Sequence, residues 1–412
     1  MSEAPGSQTL DGAARAAAGR VIAALAARFR DLDLAEDAFS AACLAAARLW
    51  PKEGDPADPT AWLYRAAFRR ALDALRRRGV RARLRPDPPA PEPSAEDALV
   101  SDAALIPDER LRLIFVCCHP AIAPESRAAL TLRLVCGLEA RTIAAAFLVP
   151  EATLLQRLTR AKRKLAETGA RFAVPGPDEW AERLEAVLST VEIAYAKAHE
   201  DAAGAGPHAG YANEMLGLTE ALASLAPRAG EVLGLAALVR YAEARRPARV
   251  GADGAMIPLS DQDPRLWRRA LIEDGDRYLH RARNLGAFGP RALNAAIHGV
   301  WCARRSLVEP APWPLVLTLY DAMLAERDDV IIRLNRAVAL AEVDGPAAAL
   351  AEVDALADAR MEAFQPWHAV RADLLWRLGR TGEADLAYDR ALELAPGPAE
   401  RRWLEGRRAR AR

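Results

Sequence analysis

The sequence predicts an all-α fold in three blocks, and three observations predict it. Ala, Leu, Arg and Glu dominate the 412 residues, and alternating β-branched runs are missing. Apolar residues recur at helical spacing through most of the chain. Two stretches interrupt that spacing. "PDPPAPEP", 86–93, has five prolines in eight residues and reads as an extended linker. "FAVPGPDEW", 172–180, marks a shorter boundary. The blocks are therefore about 8–84, 98–172 and 178–412, with 85–97 as linker. A prior of roughly 150 residues per domain agrees with two or three domains.

The first block predicts two paired helices. "DLDLAEDAFSAACLAAARLW", 31–50, places Phe39, Cys43, Ala46 and Trp50 on an apolar face. Asp31, Asp33, Glu36 and Asp37 crowd its first turns, where carboxylates suit the helix dipole. The loop "PKEGDPADP" leads to "TAWLYRAAFRRALDALRRR", with Asp58 as N-cap and Pro59 at the first helical position. Tyr64, Phe68, Ala71 and Leu75 form its apolar face, while Arg65, Arg69 and Arg76 line another side. From Arg65 to Arg85 there are nine arginines against one acid, Asp73. The whole chain balances at 56 basic and 56 acidic residues, so this clustering, not net charge, is the footprint of a polyanion partner.

The middle block predicts a helix-turn-helix. A helix over about 125–136 ends at Gly137, a natural C-terminal residue. A short helix over about 139–147 carries Ile143 and Phe147 on one face. After "LVPE" comes "PEATLLQRLTRAKRKL", 150–165, with five Lys/Arg and one acid, and Pro150 in the first turn. Leu154, Leu158, Ala161 and Leu165 share one face; Thr153, Arg157, Arg160 and Lys164 share another, with Gln156 and Arg163 beside them. A solvated surface helix has the same pattern. The preceding short helix and turn favour a recognition helix in the major groove. In that geometry Thr153, Gln156 and Arg157 reach base edges, and Arg160, Arg163 and Lys164 suit phosphates.

The third block contains a 34-residue repeat. Gly345 and Gly379, Leu340 and Leu374, Leu350 and Ala384, and Val353 and Ala387 are its matched pairs. The second copy adds Tyr388, Ala391 and Pro396, a tetratricopeptide spacing. Two units bury no solenoid core alone, so further helical pairs belong in 178–320; an ordinary helical bundle is the alternative. The same block holds Asp253, Gly254, Asp261, Gln262, Asp263 and Trp267. "DQDPRLW" lacks the ligand alternation and glycine of a calcium loop. Capping of a helix near Pro264 by Asp261 or Asp263 is the reading, with a docking surface or an ion site as alternatives.

Metal, membrane and enzyme readings find little support. Cys117, Cys118 and His119 lack zinc-ligand spacing, so packed thiols are expected, with no metal and no cofactor. Five cysteines in a chain of this length point to a reducing cytosol. Neither a signal peptide nor a run approaching about 20 apolar residues is present, so no membrane partner is expected. HExxH, G-x-S-x-G, phosphate-loop and dinucleotide motifs are all missing, so no catalytic residue is assigned.

Taken together, "AEDAF", "WLYRAAFRRALDALRRR" and the helix-turn-helix resemble regions 2 and 4 of sigma-70-family RNA polymerase sigma factors, of the compact extracytoplasmic-function type. "DERLRLIFVCCHPAIAPESRAALTLRLVCGL", 108–138, "RRPARVGADGAMIPLSDQDPRLWRRALIEDG", 245–275, and "LNRAVALAEVDGPAAALAEVDAL", 334–356, resemble the group with a C-terminal tetratricopeptide-like extension. The resemblance implies that Leu34, Glu36, Asp37 and Phe39 lie on the helix that docks on core RNA polymerase. It implies that the loop 51–59, with Trp62 behind it, holds a flipped base of the −10 element, and that Arg65, Arg69, Arg70, Arg76 and Arg77 hold that strand's phosphates. The basic helix then reads the −35 element of promoter DNA. The extension is expected to regulate in cis, through an intramolecular contact with region 2 or region 4. Two departures stand out: Ser40 and Ala41 replace an acidic Gln-Glu pair, and "VEIAYAKAHEDAAG", 191–204, diverges from an aromatic segment usual in the group. The rival readings are a helix-turn-helix regulator with a repeat-based sensor, acting without polymerase, and a scaffold with no DNA role. Nine arginines beside a base-holding loop weigh against both.

Overall fold

The computed structural model describes residues 5–83, 109–147, 149–168, 175, 179–200, 209–286, 288–394 and 397–411. The linker 85–97, most of 172–180, residues 201–204 and Pro396 lie outside the described residues. Every named element within them is a helix; the nearest thing to a sheet is one isolated bridge, Val250 with Met256.

The first helices are α1 (Pro5–Phe29), α2 (Leu32–Glu53) and α3 (Pro59–Arg83). Asp31 caps α2, its carboxylate accepting the Leu34 N–H at 2.9 Å. Gly54, at φ +87°, ends α2, and its N–H reaches the Trp50 carbonyl. Asp58 caps α3 by accepting the Ala61 N–H at 2.9 Å, with Pro59 at the first position as the sequence predicts. The three helices pack mutually, with Leu34, Ala38, Phe39, Ala42, Ala46 and Trp50 of α2 buried between them.

Four helices follow: α4 (Arg110–Cys117), α5 (Pro124–Leu134), α6 (Ala140–Ala146) and α7 (Glu151–Thr168). Gly137, at φ +67°, lets the Leu138 N–H return to the Leu132 carbonyl and close the end of α5. α5 and α6 both pack on α7. α7 begins one residue after Pro150, whose carbonyl accepts the Leu154 N–H. The next helix, α8 (Trp180–Glu200), packs on this block. The Trp180 ring lies 5.7 Å from that of Phe115, and Arg183 donates to the Phe115 carbonyl. By contacts the chain forms two units, Met1–Ala198 with Asn213–Leu218, and His199–Ala212 with Thr219–Arg412. The first nineteen residues of α8 therefore fold with the helix-turn-helix block, not with the extension to which a boundary at 178 assigns them.

The remaining helices are α9 (Ala209–Leu225), α10 (Gly230–Arg245), α11 (Arg269–Asn284), α12 (Pro290–Cys302), α13 (Trp313–Glu326), α14 (Val330–Val343), α15 (Pro346–Ala355), α16 (Ala359–Glu362), α17 (Gln365–Arg377), α18 (Thr381–Glu393) and α19 (Pro398–Ala411). The 34-residue repeat maps onto two helical hairpins, α14–α15 and α17–α18. Leu340, Leu374, Leu350, Ala384, Val353 and Ala387 are all buried in one shared core. Gly345 and Gly379 take positive φ at the two equivalent turns, which is why glycine recurs there.

All five cysteines are reduced; Cys117, Cys118, Cys136 and Cys302 are buried and Cys43 is half-buried. Burial pushes the Cys117 thiol well up, and pushes Cys118 and Cys302 up to about 11. Since the thiolate is the reactive form, these groups stay protonated and inert near neutral pH. A thiol-titration assay at pH 7.5 is expected to find at most Cys43 reacting promptly in the native protein. Denaturant is expected to release the other four.

Candidate nucleic-acid interface

α3 is amphipathic because Leu63, Ala67, Phe68 and Ala71 are buried while Arg65, Arg69, Arg70, Arg76, Arg77 and Arg78 are exposed. Arg65, Arg69, Arg70, Arg76 and Arg77 are all exposed. At 100° per residue, Trp62, Arg65, Arg69 and Arg76 form one stripe, and Arg70 and Arg77 a second. The first stripe runs about 21 Å along the axis. Trp62 is half-buried at its head, set edge-on against Trp50 with ring centroids 5.5 Å apart. The loop after Gly54 lies between those two rings in sequence, fixed at its ends by the Gly54 turn and the Asp58 cap. This arrangement offers an aromatic surface followed by a cationic track, the pairing that single-stranded nucleic acid needs for stacking and phosphate contact.

α7 separates its faces in the same way. Leu154, Leu158, Ala161 and Leu165 are buried. Gln156, Arg160, Arg163 and Lys164 are exposed, and Thr153 and Arg157 are half-buried. Arg163 is 3.5 Å from Glu167 in a solvent-facing pair, worth a few tenths of a kcal/mol. Burying three leucines contributes about 2 kcal/mol each. The apolar face therefore sets the rotation of α7, and the six polar and basic residues follow from it.

The four residues assigned to polymerase docking do not share a surface. Leu34 and Phe39 are buried, 2% and 8% exposed, and hold α2 in place. Asp37 is exposed. Glu36 is ion-paired to Arg133 of α5 at 2.8 Å and to Lys162 of α7 at 3.2 Å. The outward face of α2 carries instead a groove of about 350 Å³ lined by Ala41, Leu44, Ala45, Arg48, Leu49 and Arg70. Leu44 is 62% exposed there. Sequence reasoning passed over this groove, although Leu44 and Leu49 stand off the buried period of α2 and so signal an apolar outer face.

The acidic cluster of the extension resolves into turn contacts. Asp253 accepts the Ala255 N–H at 3.0 Å. Gly254, at φ +75°, lies under Arg402, which donates to its carbonyl at 3.3 Å. Asp261 accepts from the Ser260 hydroxyl at 2.8 Å. Asp263 caps the short 3-10 turn Pro264–Leu266, accepting the Arg265 N–H at 3.0 Å. The Arg265 guanidinium holds the Asp263 carboxyl below its usual range. Gln262 and Trp267 are buried, and the Gln262 amide donates to the Ile257 carbonyl at 3.1 Å. The helix proper, α11, starts five residues after Pro264. Among the described residues no group of three His, Cys, Asp or Glu side chains is placed to hold a metal ion. No described helix is long and apolar enough to cross a membrane.

Comparison with known proteins fits this geometry. Residues 14–81 match the family model for Sigma-70 region 2, and residues 112–165 that for Sigma-70, region 4. Residues 183–283 match a family of unknown function, DUF6596. The chain is similar to an uncharacterized protein of Rhizobium meliloti (strain 1021), 37% identical over 389 residues, covering 93% of this chain and 92% of that protein. No solved structure matches the chain. Regions 2 and 4 occur in chain order, on the helices that carry the two basic faces. The chain thus carries regions 2 and 4 of the sigma-70 family, and these two domains support a sigma factor that binds core RNA polymerase and promoter DNA and directs transcription initiation.

Proposed function

We propose that this sigma factor is of the extracytoplasmic-function type and recognises a two-element promoter in the cytoplasm, with a tetratricopeptide-like extension acting on it in cis. The observation that carries the reading is the presence of two differently built nucleic-acid faces. α3 offers Trp62 and an arginine track for a melted −10 strand; α7 offers Thr153, Gln156 and Arg157 for a −35 duplex, with Arg160, Arg163 and Lys164 for its backbone. A plain duplex-binding regulator has no use for the first. Polymerase docking falls to the outward face of α2: Asp37 and the groove bearing Leu44 and Leu49. The paired hairpins α14–α15 and α17–α18, with glycines at equivalent turns, support the tetratricopeptide reading of the extension.

Run-off transcription with core polymerase and the full chain tests the reading. Arg157→Ala is expected to relax sequence preference at the −35 element, since a good bidentate base contact discriminates by about 1–3 kcal/mol. Lys164→Ala is expected to weaken binding evenly across sequences and to lower the salt slope by about 0.9. Unchanged preference in Arg157→Ala would overturn this register. In gel filtration with core polymerase, Asp37→Lys combined with Leu44→Glu is expected to abolish co-elution, because both side chains are exposed and the core of α2 is untouched. Duplex binding by a wild-type chain that never co-elutes with polymerase would favour the regulator instead.

The extension's role is tested by truncation. A cut at 171 strips Trp180 and Arg183 from Phe115 and exposes the helix-turn-helix core. A chain ending at Ala198 keeps those contacts. Its transcription is expected to differ from that of the full chain. Equal activity of the two would remove the regulatory role.

A further inference from the structure

We propose that Leu155 and Gln156 make the centre of α7 a reader of A·T pairs. Leu155 packs on the 5-methyl group of a thymine, and Gln156 pairs with an adenine edge one step away. The inference deepens the two-element reading above and rests on it. Recognition helices of this motif meet base edges with their N-terminal residues. In α7 that stretch is Glu151 to Thr159, and its exposed side chains are Glu151, Ala152, Leu155, Gln156 and Thr159. Thr153 and Arg157 are half-buried on one flank, and the first exposed cation of the helix is Arg160.

The buried stripe decides which of these side chains faces outward. At 100° per residue, Gln156 points within about 10° of straight away from the mean direction of Leu154, Leu158, Ala161 and Leu165. Ala152 and Thr159 lie within about 50° of that line, and Leu155 about 90° from it. Glu151 stands about 130° away, at the positive end of the helix dipole, and turns from this face. The Thr159 hydroxyl donates back to the Leu155 carbonyl at 2.9 Å, which leaves its methyl as the group it offers. Arg163 also points outward, but it lies about two turns past Gln156 and is paired with Glu167. The base-facing part of the helix is thus one amide among three apolar contacts.

A lone exposed leucine on an ordinary surface needs no explanation. Leu155 differs in where it stands. It is 48% exposed, and it is the one large apolar side chain so exposed among the described residues of 109–168. Ala152, Gln156 and Thr159 beside it carry no charge, whereas the helix beyond carries Arg160, Arg163 and Lys164. That distribution complements duplex DNA, with cations for phosphates and an amide with methyls for bases. Guanine is most often read by an Arg or Lys on O6 and N7, and no such side chain is exposed from Glu151 to Thr159. An amide suits adenine, accepting from N6 and donating to N7, and an apolar side chain suits the thymine methyl. Neighbouring Cα atoms are about 3.8 Å apart and base-pair steps about 3.4 Å, so Leu155 and Gln156 reach adjacent pairs.

The test uses the full chain with core RNA polymerase and promoter duplexes randomised across both elements. The enriched −35 element is expected to hold adjacent A·T pairs. It is then rebuilt with deoxyuridine in place of thymidine, which removes the 5-methyl groups and keeps the pairing. The unaltered protein is expected to bind the rebuilt duplex about three- to fivefold more weakly, the worth of one buried methyl group. Leu155→Ala is expected to bind both duplexes alike, with thermal stability unaltered because the side chain is exposed. Replacing adenine by 7-deazaadenine, which lacks the N7 acceptor, is expected to cost the unaltered protein at least about fivefold and Gln156→Ala nothing further. Equal binding of the thymidine and deoxyuridine duplexes by the unaltered protein overturns the proposal, and that arm needs no variant to fold. The same loss in Leu155→Ala as in the unaltered protein overturns it too. An enriched −35 element without adjacent A·T pairs sinks the proposal alone. Enrichment at −10 that leaves −35 random sinks the two-element reading with it.

Discussion

Burial of one apolar stripe on each of α3 and α7 fixes where the functional arginines stand. The outward arginines of these helices are not what holds them in place. On α7, Leu154, Leu158 and Leu165 lie in the core, and the one ion pair along its outer face is exposed. Surface pairs contribute a few tenths of a kcal/mol, against about 2 for each buried leucine. The arginines thus cost little to display and remain free to change partner. An exposed guanidinium that meets solvent in the unbound protein gives up little on meeting a phosphate. A buried, paired one gives up its partner first. The extension supplies the contrast. Arg246 grips the fully buried Glu243 at 2.7 Å, and Tyr241 donates to Asp276 at 2.7 Å. Such groups serve folding, since breaking a buried pair leaves an uncompensated charge.

What was legible in the sequence follows from the range over which each signal acts. Caps and turns depend on residues within four positions, so Asp58 and Gly137 could be placed from their neighbours alone. The helical period of α3 and α7 is equally local, and it predicted which arginines face out. The 34-residue repeat was readable because two hairpins reuse one packing solution, with Leu350 and Ala384 at equivalent depths. Pairing across blocks was not readable. Nothing near Glu36 in sequence announces Arg133 or Lys162, about a hundred or more positions away. Family resemblance grouped Leu34, Glu36, Asp37 and Phe39 as one docking set, although helical geometry sends Leu34 and Phe39 inward. Near the boundary at 178 two signals diverge: a separate family match begins at residue 183, while by contacts α8 up to Ala198 groups with the preceding block.

The acidic start of α2 now has two claims on it, and charge density decides between them. Asp31, Asp33, Glu36 and Asp37 lie within seven positions. The helix N-terminus favours this, but each carboxylate repels the next. Three of the four are neutralised, Asp31 by Arg78, Asp33 by Lys162 and Glu36 by Lys162 and Arg133. Asp37 is exposed one turn after Asp33, beside the face that carries the Leu44 groove. A partner that docks there meets an apolar patch edged by Asp37, Arg48 and Arg70. A partner that competes for the other three acids must supply cations of its own to replace Arg133 and Lys162. These two modes differ in salt dependence.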